Sequence, residues 1–484
     1  MSDNFIKGTA WASGANIFFL ATGYLAQILI GRSLSPADFG TFGVIIFLLN
    51  LIEYVFTNGI SQSLSKFTAE HPQSARSVIR HSVVAQIFMV FVISLPLWLL
   101  APQVAGAFGD INMAPLLKIV ALILPFYGIR SLLQGILGGQ RQFTAQAKVK
   151  SIIALLKFAL IGLALLLNVG VATILYAYLL SSLIGAIFGW HFVKPAERAA
   201  VVPAGIFYRY ALSLTIFLVI FPLFINIDVF LVKRLVASAN DVGLYVAATT
   251  LARMPFYLFT GLLLTLLPSV AHLKQTEPIK LRRVVREINR YALIFLIPMA
   301  VFVVITADSL LPLIFGAKYH GGGDALSVLI IGVSLLVLFR IFSTVLVGIT
   351  SPRQVTITTS LIIIIDIVLN LVLIPRWGII GAAAASAISS IFGLLAATIQ
   401  LRRYQLALID LISLKKAATA SAIVGLLIFF HPTNWLLIPV ILAALALYVG
   451  LLAVFREIQT RDINRLCYLL GRRQSVPEST DDQP

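Results

Sequence analysis

Residues 225–245, INIDVFLVKRLVASANDVGLY, restate a passage near the start of the chain, residues 29–42, LIGRSLSPADFGTF. In both, an apolar run ends in a basic residue and passes through a short polar loop. Asp38-Phe39-Gly40 then corresponds to Asp241-Val242-Gly243, each followed two residues on by an aromatic, Phe42 or Tyr245. The offset from Gly40 to Gly243 is 203 residues. A second echo sets Arg130, Gly138 and Arg141-Gln142 against Arg340, Gly348 and Arg353-Gln354, at offsets of 210, 210 and 212. A third sets Val169-Gly170 against Trp377-Gly378, each in a tight loop between apolar runs. Self-similarity at a nearly fixed offset predicts two homologous lobes, residues 1–200 and 201–403.

Hydrophobic residues make up 60% of the 484 and charged residues 11%, with a mean hydropathy of +0.99. Soluble chains carry roughly a quarter charged residues, so this is an integral membrane protein. The net charge of +17 raises nucleic acid as a partner, but the basic residues sit in alternate loops, which excludes a phosphate-tracking face. The one cysteine, Cys467, excludes an internal disulfide. The apolar run after Lys7 is too long for a signal peptide and reads as a retained first span. No phosphate-binding loop occurs, since Gly321-Gly322-Gly323 lacks the following Lys-Ser/Thr. There is no His/Cys cluster at ligand spacing and no paired-carboxylate site, so neither an enzyme, a metal nor a cofactor is expected.

With about 20 apolar residues per crossing, the chain reads as an all-α protein of about fourteen spans. Six fall in each lobe, two more lie in 404–457, and a basic amphipathic tail on the inner leaflet follows over 458–484. Basic residues in the loops favour one side by roughly five to one, which puts both termini inside. The densest group is Lys274, Lys280, Arg282, Arg283, Arg286 and Arg290, placed in the loop between the lobe's second and third spans. Six spans separate the lobes, so both enter the membrane with the same orientation.

Ionisable groups at bilayer depth each cost at least about 2.5–3.5 kcal/mol and need a partner or a wet cavity. They are Glu53, Arg130, Lys157, Asp228, Arg253, Arg340 and Asp366. Polar stripes accompany them: Ser13, Asn16, Gly23 and Gln27; Asn50, Glu53, Thr57 and Ser61; Thr250, Arg253, Tyr257 and Gly261; Thr359, Asp366 and Asn370. Such faces belong in an interior shared by the lobes. Glu53 and Arg253 lie deep enough for a cavity role. Arg130 and Arg340 sit one to two turns from the inner ends of their spans, where snorkelling to the interface is the competing reading. Lys157 and Asp366 occupy nearly matching positions, which admits an ion pair or a gate contact between them. Asp228, beside Asn226, is the candidate proton or sodium site.

The order of these spans resembles the multidrug/oligosaccharidyl-lipid/polysaccharide (MOP) exporter superfamily. The motifs are GRSLSPADFG, KRLVASANDVGLY, PLIFGAKYHGGGDAL, GITSPRQ and IPRWGIIGAAAA. Within it the chain is most similar to the polysaccharide transporter branch, bacterial flippases of undecaprenyl-diphosphate-linked oligosaccharide units. The resemblance implies two six-helix lobes in a V plus two C-terminal helices, and a cationic cavity working by alternating access in the cytoplasmic membrane. It also implies a monomer beside glycosyltransferases and a polymerase. By the same resemblance Arg253 best matches the headgroup-binding arginines, with Glu53, Asn50, Asn16, Gln27, Tyr257, Arg130 and Arg340 around it. Asp228, Asp366 and Lys157 are then coupling or gate groups. A lipid II flippase is disfavoured because the first span has no arginine at depth. A cation-coupled drug exporter is kept open by Asp228, and a membrane scaffold for glycosyltransferases is the reading of another class.

With both termini inside, a membrane-impermeant maleimide is expected to label Cys467 only after permeabilisation. Labelling in sealed, right-side-out cells would overturn the orientation.

Overall fold

The computed structural model describes residues 3–167, 170–195, 201–350, 352–404, 406, 411–429, 437–455 and 457. The proposed tail over 458–484, with Cys467, lies outside them, as does the side chain of Ser13. Backbone in hydrocarbon must close its hydrogen bonds within its own segment, and the apolar runs are accordingly helical. The first lobe contains α1 (Asp3–Ser33), α2 (Pro36–Glu70), α3 (Pro72–Leu99), α4 (Ala114–Gly139), α5 (Phe143–Leu166) and α6 (Val171–Trp190). The second begins with α7 (Ala204–Leu235), then α8, in two pieces, Ala239–Ala252 and Met254–Thr276. It continues with α9 (Pro278–Phe315) and α10 (Gly323–Ile349).

The stretch Pro352–Arg402 is helical over 51 residues but contains Gly378 at φ 56° and ψ −133°. In a straight helix Thr358 and Gln400 would stand about 60 Å apart, yet their side chains hydrogen-bond at 2.8 Å. The chain therefore doubles back at Gly378, a backbone conformation that glycine adopts at little cost, and gives α11 (352–377) and α12 (379–402). Eleven helices among the described residues are long and apolar enough to cross a membrane. Because one of them is this hairpin, they make twelve crossings, six per lobe. The expected count of fourteen then rests on α13 (Leu411–Ile428) and α14 (Leu437–Val454), each 18 residues and thus about 27 Å, at the short end of a span.

The repeated motif is a helix start written twice. Ser35 Oγ accepts the Asp38 N–H at 3.1 Å, and Ser238 Oγ accepts the Asp241 N–H at 3.2 Å, capping donors that have no partner within the helix. The two starts meet. A Cβ on Gly40 would lie 2.8 Å from the Gly243 nitrogen, and one on Gly243 would overlap the Pro36 carbonyl. The α2 and α8 backbones are therefore in direct contact across the lobe boundary, as small residues allow between membrane helices.

Around this contact the lobes are tied together. Phe39 packs on Phe315 and Tyr319, with ring centroids 5.6 and 5.9 Å away. Arg32 donates to the carbonyls of Leu313 and Ile314 in the last turn of α9, and Lys318 donates to those of Arg32 and Leu34 at the end of α1. Cations thus satisfy helix C-terminal carbonyls in both directions. Tyr319 Oη adds a 2.9 Å bond to the Gly31 carbonyl, and Lys233 Nζ pairs with Asp110 at 2.7 Å. We call this the closed end.

The opposite, basic end carries the arginine-rich segments. There the lobes still touch on one flank, where His81 bonds the Val202 carbonyl at 3.2 Å and Lys66 lies 4.0 Å from the Tyr210 ring centroid. On the other flank α1 and α8 part beyond Thr250–Gln27 (3.1 Å) and the Tyr24–Tyr257 edge contact. Gly14, Gly23 and Gly261 face open space there. The group from Lys280 to Arg290, expected in a loop, instead forms the first turns of α9. Leu281 and Val285 are buried one turn apart, so the segment is amphipathic and its charges lie on the outer face. At its end Glu457 accepts from Arg290 Nε (2.9 Å), Lys416 Nζ (3.1 Å) and Ser413 Oγ (2.5 Å), tying α13 to α9.

Gly243→Val should force the closed end apart. With Cys467 replaced by serine and spin labels at the exposed Ser33 and Asn240, double electron–electron resonance should show a longer, broader distance distribution than for the protein with Gly243 intact. An unchanged distribution would mean that the contact does not set the lobe spacing.

Candidate functional site

The wedge between the parting lobes is where polar side chains stand exposed in mid-span. Asn50 lies 14 residues into α2, about 21 Å along it, and is exposed although its neighbours on either side are buried or half-buried. Glu53, Tyr54, Thr57 and Asn58 continue the line half-buried, and Gln62 is exposed again toward the basic end. Between them Phe56–Ser61 widens into a π turn, a feature that recurs at functional sites. The Phe56 carbonyl takes the Ser131 hydroxyl at 2.9 Å, and Ser61 Oγ donates to the Ser131 carbonyl at 2.7 Å, which fixes the turn to α4. From α1, Asn16 is exposed and Gln27 half-buried against Thr250.

In the first lobe Arg130 is 7% exposed and pairs with Glu53, its guanidinium carbon 4.2 Å from the Tyr127 ring centroid. It does not snorkel. A carboxylate within reach across the α2–α4 packing outweighs a climb to the interface. Lys150 Nζ bonds Asn16 Oδ1 and lies 4.9 Å from the Phe19 ring, while Lys157 Nζ lies 5.0 Å from Phe19 and 4.9 Å from Tyr178. Both lysines are half-buried, are within Coulombic reach of Glu53, and have no carboxylate contact among the described residues. Cation–aromatic contacts hold them instead.

In the second lobe the expected headgroup ligand is otherwise engaged. Arg253 is 4% exposed; it bonds both Asp228 oxygens (2.9 and 3.2 Å), Asn226 Oδ1 (3.2 Å) and the Ile225 carbonyl, beneath the Phe47 ring. Its fork is filled by α7, so it is no free cation. Asp228 is correspondingly no open ion site: Tyr245 Oη donates to its other oxygen at 2.7 Å. The local cause is Pro255, which has no N–H for the Leu251 carbonyl and breaks α8 at Arg253. Tyr257, one turn on, stays half-buried against Tyr24 at 6.2 Å between centroids.

Lys157 and Asp366 are not brought together. Lys157 rests on rings in the first lobe, whereas Asp366 is fully buried in α11 with no hydrogen-bond partner on either oxygen. The stripe of Thr359, Asp366 and Asn370 is buried throughout rather than facing the wedge, because the hairpin packs it against α7 and α10. Arg340 differs from Arg253 in this lobe. It is half-buried, 3.8 Å from the Phe221 ring centroid and near Tyr54 of the other lobe, with no carboxylate contact among the described residues. Sequence reasoning missed Lys150, placed in a loop, though its seven-residue spacing from Lys157 sets both on one helical face. It also missed the aromatic partners Phe19, Tyr24, Tyr54 and Tyr178, for which apolar-looking positions gave no signal.

A family model described as "Polysaccharide biosynthesis protein" matches residues 29–322. An uncharacterised membrane protein of Methanocaldococcus jannaschii is 20% identical over 444 residues, 80% of this chain and 81% of that one. The lipid II flippase MurJ in an inward closed conformation superposes with a TM-score of 0.77 at 16% identity, covering 92% of this chain and 98% of that structure. An inward-facing multidrug resistance MATE family transporter of the MOP superfamily gives 0.69 at 16% identity, over 81% and 99%. A MOP superfamily transporter from Pyrococcus furiosus gives 0.62 at 15% identity, over 84% and 98%. The three solved structures share this fold.

The Arg253–Asp228 pair is expected to hold α8 to α7. Asp228→Asn or Arg253→Gln alone strands a buried charge and should cost about 3–5 kcal/mol, seen as lower abundance and a lower Tm in detergent. The double substitution should cost less than the sum. Strict additivity would show the pair to be uncoupled.

Proposed function

Since the chain belongs to the polysaccharide biosynthesis protein family and has the fold of MOP-superfamily flippases and transporters, we propose that it flips undecaprenyl-diphosphate-linked oligosaccharide units across the bacterial cytoplasmic membrane by alternating access. The basic end faces the cytoplasm by the charge bias of the loops, and the closed end faces outward. The carrying observation is the interior charge. Lys150, Lys157 and Arg340 border the wedge without carboxylate partners, while Arg130 and Arg253 are neutralised.

A diphosphate leaves water only for a site that supplies fixed positive charge and donors. The three free cations supply these, with the polar line from Asn50 to Gln62 facing the glycan. The parted α1–α8 flank admits a headgroup whose lipid tail stays in the bilayer. Release then requires the closed end to open and the basic end to close. Movement of an anion out of an inside-negative cell is favoured by about 2.3 kcal/mol per charge per 100 mV. A drug exporter driven through Asp228 is disfavoured because both carboxylate oxygens are occupied. A pure scaffold gives no reason for free cations in the interior.

Deleting the gene should cause lipid-linked oligosaccharide to accumulate on the inner leaflet. In the complemented strain, the Lys150→Gln, Lys157→Gln, Arg340→Gln triple variant should lose at least about tenfold in surface-polysaccharide output per protein molecule, equivalent to about 1.4 kcal/mol. Wild-type output per molecule in the triple variant would remove the cationic-cavity mechanism.

A further inference from the structure

Beside the glycine contact at the closed end, a cavity of about 560 Å³ opens to the surface. Its volume falls within the ~300–1,000 Å³ of small-molecule sites. Both lobes build it. Asp38 and Thr41 come from α2, Phe108, Asp110 and Asn112 from the crossing that leads into α4, and Lys233 from the end of α7. None of these groups takes part in the central wedge.

The charges restrict the occupant. Lys233 is already matched to Asp110 at 2.7 Å and bonds Thr41 Oγ1 at 3.2 Å, while Asp38 accepts from Ser35 Oγ at 2.7 Å and is offset by Arg234, whose Nη1 would lie 3.5 Å from a Cβ on the lining Gly109. With its charges balanced, the lining offers a phosphate or an acidic sugar no net opposite charge to replace the water it would lose. Among the described residues no set of three His, Cys, Asp or Glu side chains could hold a metal ion. The lining combines carboxylate acceptors, the Asn112 amide and the Thr41 hydroxyl with the ring of Phe108, braced by Phe230 at 5.9 Å, as an apolar wall. That combination suits a neutral sugar: its hydroxyls donate to Asp38 and accept from Asn112, and its C–H face covers the aromatic ring.

We propose that this cavity is a binding site for a neutral oligosaccharide of about two or three sugar rings, presented from the closed-end side. That the sugar is the glycan of a molecule already flipped rests on the function proposed above; the binding itself does not. Because the two lobes share the site, an occupant bridges them and favours the closed state in proportion to its concentration. It also sits against the Lys233–Asp110 pair that opening has to break. Glycan accumulating outside therefore slows further export, a product feedback acting at the gate.

The test uses the full chain in lipid nanodiscs, with maltotriose, cellotriose and chitotriose as probes in saturation-transfer NMR. At least one should bind saturably, and affinity should fall at least about tenfold in Asn112→Ala and in Ala237→Trp. The second substitution fills the cavity and leaves both helix caps intact. No saturable binding by any probe, or binding undiminished in Ala237→Trp, overturns the proposal, as does displacement by inorganic phosphate or calcium. Flipping of lipid-linked oligosaccharide in reconstituted vesicles is measured in parallel. Flipping without trisaccharide binding sinks the cavity alone, and binding without flipping sinks the flippase reading alone.

Discussion

The approach of Gly40 to Gly243 governs how the remaining helices are disposed. With no side chain at either position, the α2 and α8 backbones touch near one end of the bundle. The contact runs on through Gly43 against Val246 and Phe47 over Arg253, and beyond it the α1–α8 flank is open at the other end. The same proximity brings α1 and α9 close enough for Arg32 and Lys318 to satisfy each other's terminal carbonyls. A side chain at either glycine would thus change the ties and the wedge together.

The two lobes repeat a sequence frame, and the charges are fitted differently in each. Arg130 and Arg340 stand at matching positions of the sequence repeat, yet Arg130 is paired with Glu53 and Arg340 rests on Phe221. Counting 203 residues from Glu53 reaches Phe256, so the second lobe has no carboxylate to neutralise its arginine. Counting the same distance back from Arg253 reaches Asn50, which faces the wedge, while Arg253 is folded onto Asp228. A desolvated pair contributes little net charge. The surplus that an anion would meet therefore lies with the unmatched members, Lys150 and Lys157 in one lobe and Arg340 in the other.

The repeat, the spans and the reversal at Gly378 were readable because they rest on local composition and spacing: Ser-x-x-Asp before an apolar run, and Trp-Gly between two such runs. The pairings were not. Arg253 meets Asp228 only because α8 breaks at Pro255, and Glu53 meets Arg130 across 77 residues of chain. Nothing in periodicity says which of several polar faces will be buried, and so the α11 stripe was assigned to the cavity. Lys150 sits near the end of an apolar run, where a charge reads as an interfacial anchor rather than a helix-face residue. The family resemblance carried the fold, which the matching model and structures support, but it pointed to Arg253, which is engaged by Asp228 and Asn226 of α7.

The hairpin at Gly378 has a consequence for biogenesis. With a single residue between them, α11 and α12 leave no loop that could wait on one side while the other helix is made. They must enter the bilayer as one unit, with Arg376, exposed at the tip, carried across at a cost of about 2.5–3.5 kcal/mol. The run from Leu361 to Ile365 and the alanines from Ala382 to Ala385 supply the apolar surface that drives this entry. The Gln400–Thr358 bond, which joins the two free ends of the pair, needs no other span to form. The hairpin thus enters as a preformed element and packs onto α7 and α10, which precede it in the chain.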